Sequence, residues 1–264
     1  MPDDPRPTGV STPSEPSLSG TSKVVAARLR YIERQARLGQ SSALVIGLGG
    51  LGSVASLYLA NAGIGHLLIN DFDRVDASNL PRQLLFRAAD TGAFKTDATA
   101  AHLREVNPAV QVRTLNGQLD ANALQAAAQD CDLVLDCSDN FRTRLLINAA
   151  CVATRKPLVS GAAIRFEGQV AVFPNQGTGP CYRCLYSDED ENFASCAGQG
   201  ILAPVAGLIG TMLATEALKL LLGLDSGIPG PGLRNRLWVY DGLSSTTRSV
   251  AIRRKPDCPV CSKA

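Results

Sequence analysis

The sequence has no marked excess of either charge: 26 Lys and Arg residues are balanced by 24 Asp and Glu residues, which gives a formal net charge of +2. Nothing in this balance favours a broad basic surface, so we expect no nucleic-acid partner. Any acidic ligand must then be recognised by a local site. Only two histidines are present, His66 and His102. Neither lies near a motif, and we propose no histidine base.

The sequence also lacks an apolar run long enough to cross a membrane. The longest run, 201–214, is interrupted by Pro204, whereas a membrane-spanning helix needs about 20 apolar residues. We therefore predict a buried helix there and no membrane partner. Residues 1–22 are rich in Pro and Ser, carry no apolar segment typical of a cleavable signal, and are predicted to form a disordered tail. We expect a cytoplasmic protein with one domain over residues 23–264.

Helical and strand-like segments alternate along most of the chain. Strands that alternate with helices of about 10–15 residues predict a parallel, doubly wound sheet. After Gly168 this alternation changes, and the strand-like segments that follow predict a mixed or antiparallel extension. The predicted strands are 43–47, 66–73, 110–115, 132–137 and 157–163, followed by 169–173, 237–241 and 249–253. The predicted helices are 23–38, 53–62, 121–129 and 142–154.

A glycine string joins the first predicted strand to the helix that follows it. Gly47, Gly49 and Gly52 fit the GxGxxG spacing, with an extra glycine at Gly50. Such a loop turns sharply and approaches a nucleotide closely because no Cβ atoms intervene. Asp71 comes 19 residues after Gly52, where a carboxylate typically binds a ribose hydroxyl. The pattern predicts nucleotide binding but does not choose between NAD and ATP.

Polar residues that a dehydrogenase does not need follow the second predicted strand. Arg82 can clamp phosphate oxygens, Lys95 adds a second positive charge, and Asn79 can donate to a phosphate or ribose oxygen. Asp139, with Asn140 beside it, follows another predicted strand at the carboxyl end of the sheet, where it can hold Mg²⁺. These residues favour a triphosphate site, because negative charge grows there as pyrophosphate leaves. The alternative is a solvated surface of mixed charge.

Four of the eight cysteines form two CxxC pairs, Cys181/Cys184 and Cys258/Cys261. In a chain without a secretory signal, such pairs predict a metal site before a disulfide. Four thiolates suit tetrahedral Zn²⁺ and leave no open position for chemistry, so the predicted role is structural. A redox dithiol is the competing interpretation. The predicted fold class is thus α/β: a Rossmann-like, doubly wound, mostly parallel sheet with an antiparallel C-terminal extension and a structural zinc site.

The remaining cysteines differ in their surroundings. Cys131, Cys137 and Cys151 lie in apolar segments and are predicted to be small core residues. Cys196 lies in a polar loop just before a predicted helix start, where a thiol can be activated as a nucleophile. Its role as nucleophile or bystander is left open.

Nine sequence features in a fixed order resemble those of a known family: GLGGLG, DFD, SNLPRQ, the spacing of Lys95, LDCSDN, PLVSGAAIRFEGQ, CYRC, CAGQGILAP and CPVC. Together they resemble the ubiquitin-activating-enzyme-like superfamily and, within it, the MoeB/ThiF/HesA family. The resemblance runs from Ala43 to the C-terminus, and the segment Leu158–Phe173 is most similar to the molybdopterin branch.

This resemblance implies a homodimer that uses ATP to adenylate the C-terminal glycine of a ubiquitin-like sulfur carrier ending in Gly-Gly, in molybdenum cofactor biosynthesis. The implied catalytic residues are Arg82, Lys95 and Asp139, with Cys196 as the candidate nucleophile. The ATP-contacting positions implied by the motifs are Gly50, Asp71, Ser78, Asn79, Arg82, Lys95, Asp139 and Asn140.

The chain departs from this family near its start. The family has an Arg-Tyr-x-Arg-Gln helix whose second arginine reaches the partner subunit's ATP site. Here the corresponding string, 30–35, has one extra residue and lies much closer to Gly47. Either the contact is absent, or it is made by one of Lys23, Arg28, Arg30 and Arg34.

Four other functions stay open at this point. A thiazole-branch carrier adenylyltransferase would share every motif. An NAD-dependent oxidoreductase would explain the glycine loop and Asp71, but not Arg82, Lys95 or the paired cysteines. A non-catalytic adaptor could dimerise through a helix at 201–222. A tRNA-modifying dehydratase would adenylate a small-molecule carboxylate.

Overall fold

The computed structural model describes residues 33–187, 200–224 and 232–262. Contacts divide the chain into two units, Met1–Ala36 and Arg37–Ala264. In the first unit, the described residues 33–36 are helical. The predicted tail and most of the predicted helix 23–38 lie outside the described residues.

One sheet of eight strands runs through the second unit. Its strands are β1 (Ser42–Ile46), β2 (His66–Asn70), β3 (Gln111–Leu115), β4 (Leu133–Asp136), β5 (Leu158–Ile164), β6 (Glu167–Phe173), β7 (Arg236–Asp241) and β8 (Thr246–Ala251). The spatial order is β3-β2-β1-β4-β5-β6-β7-β8. Pairing is parallel from β3 to β5 and antiparallel from β5 to β8. The predicted parallel sheet with an antiparallel extension is confirmed.

Six helices connect these strands within the described part of the second unit. They are α1 (Gly52–Ala62), α2 (Lys95–Val106), α3 (Ala121–Gln129), α4 (Phe141–Thr154), α5 (Tyr182–Leu185) and α6 (Ala203–Leu221). The bounds of α3 agree with the prediction, and α1 and α4 each begin one residue early. Pro204 lies in the first turn of α6, where its missing N–H costs no helical hydrogen bond.

Six of the predicted strands agree with the observed bounds within two residues at each end, and two are wrong by three residues at one end. The second strand ends at Asn70 instead of residue 73, because the Asp71 carboxylate accepts hydrogen bonds from the backbone N–H groups of Leu48 and Asp73 and turns the chain out of the sheet. The last strand spans Thr246–Ala251 instead of 249–253, because its antiparallel register with β7 pairs Thr246 with Asp241.

Helix α2 is absent from the predicted elements. This helix begins with Lys-Thr-Asp and has no side-chain hydrogen bond at its N-cap, so neither an apolar stripe nor a capping residue marks its start. It forms because small residues on one side, together with Leu103, are buried against α1 and β3. Tertiary packing supplies most of the stability of such helices.

The core lies on both sides of the parallel strands. On one side, α6 packs against α1, β5 and β6 and buries Val205, Ile209 and Leu213. By length and composition α6 could cross a membrane, but half of its most apolar window is buried inside the fold. The other side is covered by α3 and α4, which contribute Leu124 and Ile147.

The turn from β1 into α1 requires glycine at two positions. Gly47 has φ +88°, and a Cβ at Gly52 would lie 1.8 Å from the Gly47 carbonyl oxygen. We therefore expect Gly52→Ala to lower the free energy of unfolding by at least about 3 kcal/mol, since the backbone must move. The matched control is the helical glycine Gly207, which has nothing within 4 Å of an added Cβ; Gly207→Ala should be neutral or stabilising. Urea denaturation of both variants checks this, and equal stabilities would contradict it.

Candidate functional site

A cavity of about 1270 Å³ lies at the carboxyl ends of β1, β2 and β4. The strand order reverses between β1 and β4, and open α/β sheets bind their ligands at such a point. Within the described residues, the cavity lining includes most of the predicted nucleotide site. The predicted residues it brings together are Gly47, Gly49, Gly50, Asp71, Asn79, Arg82, Lys95, Asp139 and Asn140.

Asp71 is held against the glycine loop. Its Oδ2 accepts from the Leu48 N–H at 2.7 Å and its Oδ1 accepts from the Asp73 N–H at 2.8 Å. Burial raises the pKa of the Asp71 carboxyl, and the nearby Lys95 ammonium opposes that rise. Each carboxylate oxygen has a further lone pair. Asp71 can therefore fix the loop and still accept a ligand hydroxyl.

Lys95 supplies a buried positive charge in the cavity wall. It is the first residue of α2 and only 4% exposed. Its Nζ donates to Asp73 Oδ2 at 2.8 Å, and its backbone N–H donates to the Asp73 carbonyl at 3.0 Å. The Asp73 side chain is about half exposed, so water weakens that pair. The arrangement leaves the ammonium suited to a polyanion.

Arg82 and Asn79 enter the cavity from the turn after β2. This turn is capped by Asp76, whose carboxylate accepts from the Ser78 N–H at 2.8 Å and the Ser78 hydroxyl at 2.6 Å. Hydrogen bonds from Ser78 lower the pKa of the Asp76 carboxyl. Arg82 Nη1 donates to the Ser78 carbonyl at 3.1 Å. Ser78 does not line the cavity; in this structure it shapes the turn that carries Arg82.

Asp139 and Asn140 lie where the chain passes from β4 to α4. Asp139 is exposed. Asn140 is the N-cap of α4, and its Oδ1 accepts from the Thr143 N–H at 2.9 Å. The Asn140 side chain thus positions the start of the helix, while Asp139 offers carboxylate oxygens at the cavity edge.

A buried ion pair beneath Asp139 is missing from the sequence prediction. Asp136 is fully buried, and its carboxylate accepts from the hydroxyls of Ser138 and Ser160. Arg144 lies 3.7 Å from that carboxylate and lines the cavity. The string LDCSDN contains Asp136. Arg144 lies outside this string, and only the fold places its side chain next to the Asp136 carboxylate.

Gln83 is a second residue that the prediction misses. It is 4% exposed, lines the cavity, and its Oε1 has no hydrogen-bond partner within the described residues. A buried acceptor without a partner is costly, so a ligand that donates a hydrogen bond would remove that cost. Gln83 is the last residue of the motif SNLPRQ, and this position is the sequence signal that could have identified it as a site residue.

The four paired cysteines meet in one buried cluster, as predicted. Their four Sγ atoms lie within 4.8 Å of one another, with 3.7 Å between those of Cys181 and Cys258 and 3.4 Å between those of Cys184 and Cys261. Tetrahedral zinc with Zn–S near 2.3 Å needs sulfurs about 3.8 Å apart. The Lys255 N–H also donates to Cys184 Sγ at 3.5 Å. The donor set and spacing fit a metal ion.

The model of the ThiF family matches residues 22–260 of this chain. The chain belongs to the ThiF family. It is 44% identical over 230 residues to the sulfur carrier protein ThiS adenylyltransferase of Escherichia coli K12, covering 87% of this chain and 89% of that protein. It is also 44% identical over 229 residues to the molybdopterin-synthase adenylyltransferase of the same organism, covering 87% and 90%.

Longer and more distant proteins share the ThiF-family fold. The adenylyltransferase and sulfurtransferase MOCS3 of Culex quinquefasciatus is 41% identical, over 88% of this chain and 52% of its own length. The crystal structure of E. coli MccB with ATP superposes with a TM-score of 0.77 at 23% identity, over 87% of this chain and 68% of that chain. At that identity the likeness supports the fold alone.

Other elements implied by the ThiF-family resemblance lie outside the described residues. The candidate nucleophile Cys196 is one, and the N-terminal candidates Lys23, Arg28 and Arg30 are others. Arg34 belongs to the first unit and is exposed. Its contact with a partner subunit stays a prediction.

The three remaining cysteines are core residues, as predicted. Cys131, Cys137 and Cys151 are all buried. Burial raises the pKa of each thiol, that of Cys131 to about 11. A thiol in that state is a poor nucleophile at neutral pH.

Proposed function

We propose that this chain uses ATP to adenylate the C-terminal glycine carboxylate of a ubiquitin-like sulfur-carrier protein. The observation that carries the proposal is the position of the buried Lys95 ammonium and Arg82 beside the glycine loop, in one cavity. Both E. coli relatives at 44% identity are named as adenylyltransferases, one of them of the sulfur carrier ThiS.

For this reaction the protein needs mainly to align the reactants and to neutralise the charge on the phosphates. A carboxylate is already a nucleophile and needs no general base, so the carrier's terminal oxygen attacks the α-phosphorus directly. The glycine loop and Asp71 receive the adenosine. Arg82 and Lys95 stabilise the negative charge that builds up on the departing pyrophosphate. Cys196 is a candidate nucleophile for the next step, in which its thiolate would attack the acyl-adenylate carbonyl, form a thioester with the carrier and release AMP.

Mg²⁺ and Zn²⁺ have separate proposed sites. Asp139 offers the hard carboxylate oxygens that Mg²⁺ prefers together with substrate phosphates. When bound, Mg²⁺ would neutralise phosphate charge during transfer. Zn²⁺ is assigned to the four cysteines. Their thiolates would occupy all four coordination positions of the ion, and the bound ion would stabilise the fold. Asn79 and Asn140 complete the proposed ATP site, and Ser78 supports it through the turn that carries Arg82.

Of the two carriers, we propose the molybdopterin-synthase type, in molybdenum cofactor biosynthesis. The segment Leu158–Phe173, which spans β5, β6 and the turn between them, carries the motif most similar to that branch. The ThiS type is the second candidate, because the two E. coli relatives are equally identical to this chain. We also propose a cytoplasmic homodimer.

An NAD-dependent oxidoreductase is supported less well. It would use the glycine loop and Asp71, but it gives no task to Lys95, whose buried ammonium lies in the cavity wall. A nicotinamide cofactor needs no such cation beside its redox centre. Thermal stabilisation by NADH but not by ATP with Mg²⁺ would favour this alternative.

We expect Asp139→Ala to abolish carrier-dependent exchange of labelled pyrophosphate into ATP, with a loss of at least about 100-fold. The carboxylate is exposed, so its removal should leave the fold intact. Asp130→Ala is a matched control, because the Asp130 carboxylate forms an exposed ion pair with Arg113 at 3.8 Å and does not line the cavity. Undiminished exchange in Asp139→Ala would refute the role assigned to Asp139.

A further inference from the structure

Helix α4 extends from the cavity to the cysteine cluster. Its second turn includes Arg144, which lines the cavity, and one turn later comes Asn148, which contacts Cys181. Residues four apart lie on the same face of a helix. The two sites therefore share one rigid element.

Asn148 binds the start of the first CxxC pair. It is fully buried. Its Oδ1 accepts from the Tyr182 N–H at 2.9 Å, and its Nδ2 donates to Cys181 Sγ at 3.6 Å. Hydrogen bonds to a metal-binding sulfur orient the ligand and tune the metal site. The position of Cys181 is thus tied to α4.

Tyr182 links the same CxxC pair to Arg144. Its side chain is buried and its hydroxyl lies near the Arg144 guanidinium. The ring packs against Phe173 and Phe141, with centroid distances of 6.0 and 6.4 Å. Tyr182 is therefore held by Asn148 at its backbone and by aromatic rings at its side chain, with its hydroxyl close to Arg144.

Arg144 in turn fixes the segment that carries Asp139. Its guanidinium donates to the Ser138 carbonyl and, at 2.9 Å, to the Gly161 carbonyl. Asp136 provides the neighbouring negative charge at 3.7 Å. Since Ser138 immediately precedes Asp139, the position of the guanidinium determines where the chain enters the nucleotide site.

We propose that the cysteine cluster positions the Asp139 segment through Asn148, Tyr182 and Arg144, so that metal binding and nucleotide binding stabilise each other. These three are positioning residues, which act through one another rather than on the reacting atoms. The inference rests on the proposed function to the extent that the cavity binds ATP. Coupling of this kind is reciprocal: if the metal favours ATP, ATP must favour the metal by the same factor.

Zinc release measures the coupling without turnover. The zinc-loaded wild-type protein is equilibrated with a chromophoric chelator, with and without saturating ATP, and the fraction of zinc released gives the affinity for zinc. We expect ATP to raise the zinc affinity at least about fivefold, the lower end of typical coupling. An unchanged zinc affinity in a protein that binds ATP would overturn the inference.

The variant Tyr182→Phe tests the route. It keeps the aromatic ring and the backbone N–H but removes the hydroxyl that lies near Arg144. We expect it to retain its zinc, to bind ATP about fivefold more weakly, and to show less than about a twofold effect of ATP on zinc release. If Tyr182→Phe matches wild type both in its affinity for ATP and in the effect of ATP on zinc release, the proposed route through Asn148, Tyr182 and Arg144 is wrong.

Tyr186→Phe is the matched control. Tyr186 lies near Tyr182, with ring centroids 4.9 Å apart, but its hydroxyl bonds with Gln169 instead. It should behave as wild type in both measurements. If Tyr186→Phe loses as much ATP affinity and as much of the ATP effect on zinc release as Tyr182→Phe does, the aromatic cluster has loosened as a whole. That result would overturn the specific route through Asn148, Tyr182 and Arg144.

The two proposals fail in different ways. If the wild-type protein adenylates a carrier while ATP leaves zinc release unchanged, the coupling alone is wrong. If the wild-type protein does not bind ATP, the proposed function is wrong and the coupling fails with it.

Discussion

Replacing Lys95 with methionine is expected to lower carrier-dependent pyrophosphate exchange by about 100- to 1,000-fold. The ammonium is preorganised in the cavity wall, held at 2.8 Å by Asp73 and shielded from water. A fixed, desolvated charge stabilises a developing anion far better than a mobile one in solvent. Methionine keeps the length and apolar stem of the side chain, so the change isolates the charge.

The stability of Lys95→Met should change little, by about 1 kcal/mol, because the remaining Asp73 carboxylate is half exposed and can be solvated. Loss of the ammonium should also raise the pKa of the Asp71 carboxyl further, since Lys95 opposes the effect of burial there. The control is Arg104→Met, which removes an exposed positive charge from the same helix. Exchange in Lys95→Met as fast as in this control would contradict the proposed role.

The variant Cys258→Ser is expected to lose its bound zinc and to lower the free energy of unfolding by more than about 4 kcal/mol, as loss of a structural metal does. Cys258 belongs to the second CxxC pair, 77 residues away from its neighbour Cys181 in sequence. A metal ion held there would therefore close a long loop and join the C-terminal segment to the segment after β6 and to α4. Metal analysis and thermal denaturation measure both effects.

Cys131→Ser provides the matched control for this change. Cys131 is buried but lies outside the cluster. Its replacement places the same hydroxyl in the core and should leave the zinc content unchanged. Full zinc content and wild-type stability in Cys258→Ser would show that the cluster is not a structural metal site.

Local patterns were sufficient to predict much of this molecule. The glycine string after a β-branched segment located the turn from β1 into α1, because few other residues fit there. The segment 121–129 is predicted as a helix with its observed bounds because it consists mainly of Ala and Gln, and in the structure Asp120 caps it. The two CxxC pairs predicted a four-sulfur cluster because their chemistry is specific even at a distance.

Features that depend on long-range contacts were beyond the sequence. Lys95 was predicted as a phosphate ligand, but its pairing with Asp73 and its place at the start of α2 follow from packing against α1 and β3. The Asp136–Arg144 pair was missed because a buried charge pair leaves no periodic signal. Gln83 was missed because the sequence does not show whether its amide is buried. That burial follows from the folded position of Gln83 beside the glycine loop.

Intact mass spectrometry of a carrier protein, incubated with this chain, ATP and Mg²⁺, is the most direct test of the central claim. We predict that a molybdopterin-synthase-type carrier ending in Gly-Gly gains the mass of one adenylyl group, and that a carrier lacking its terminal glycine gains nothing. A ThiS-type carrier in a parallel sample decides between the branches. If neither carrier changes mass while the protein remains folded, the cavity does not perform the proposed reaction.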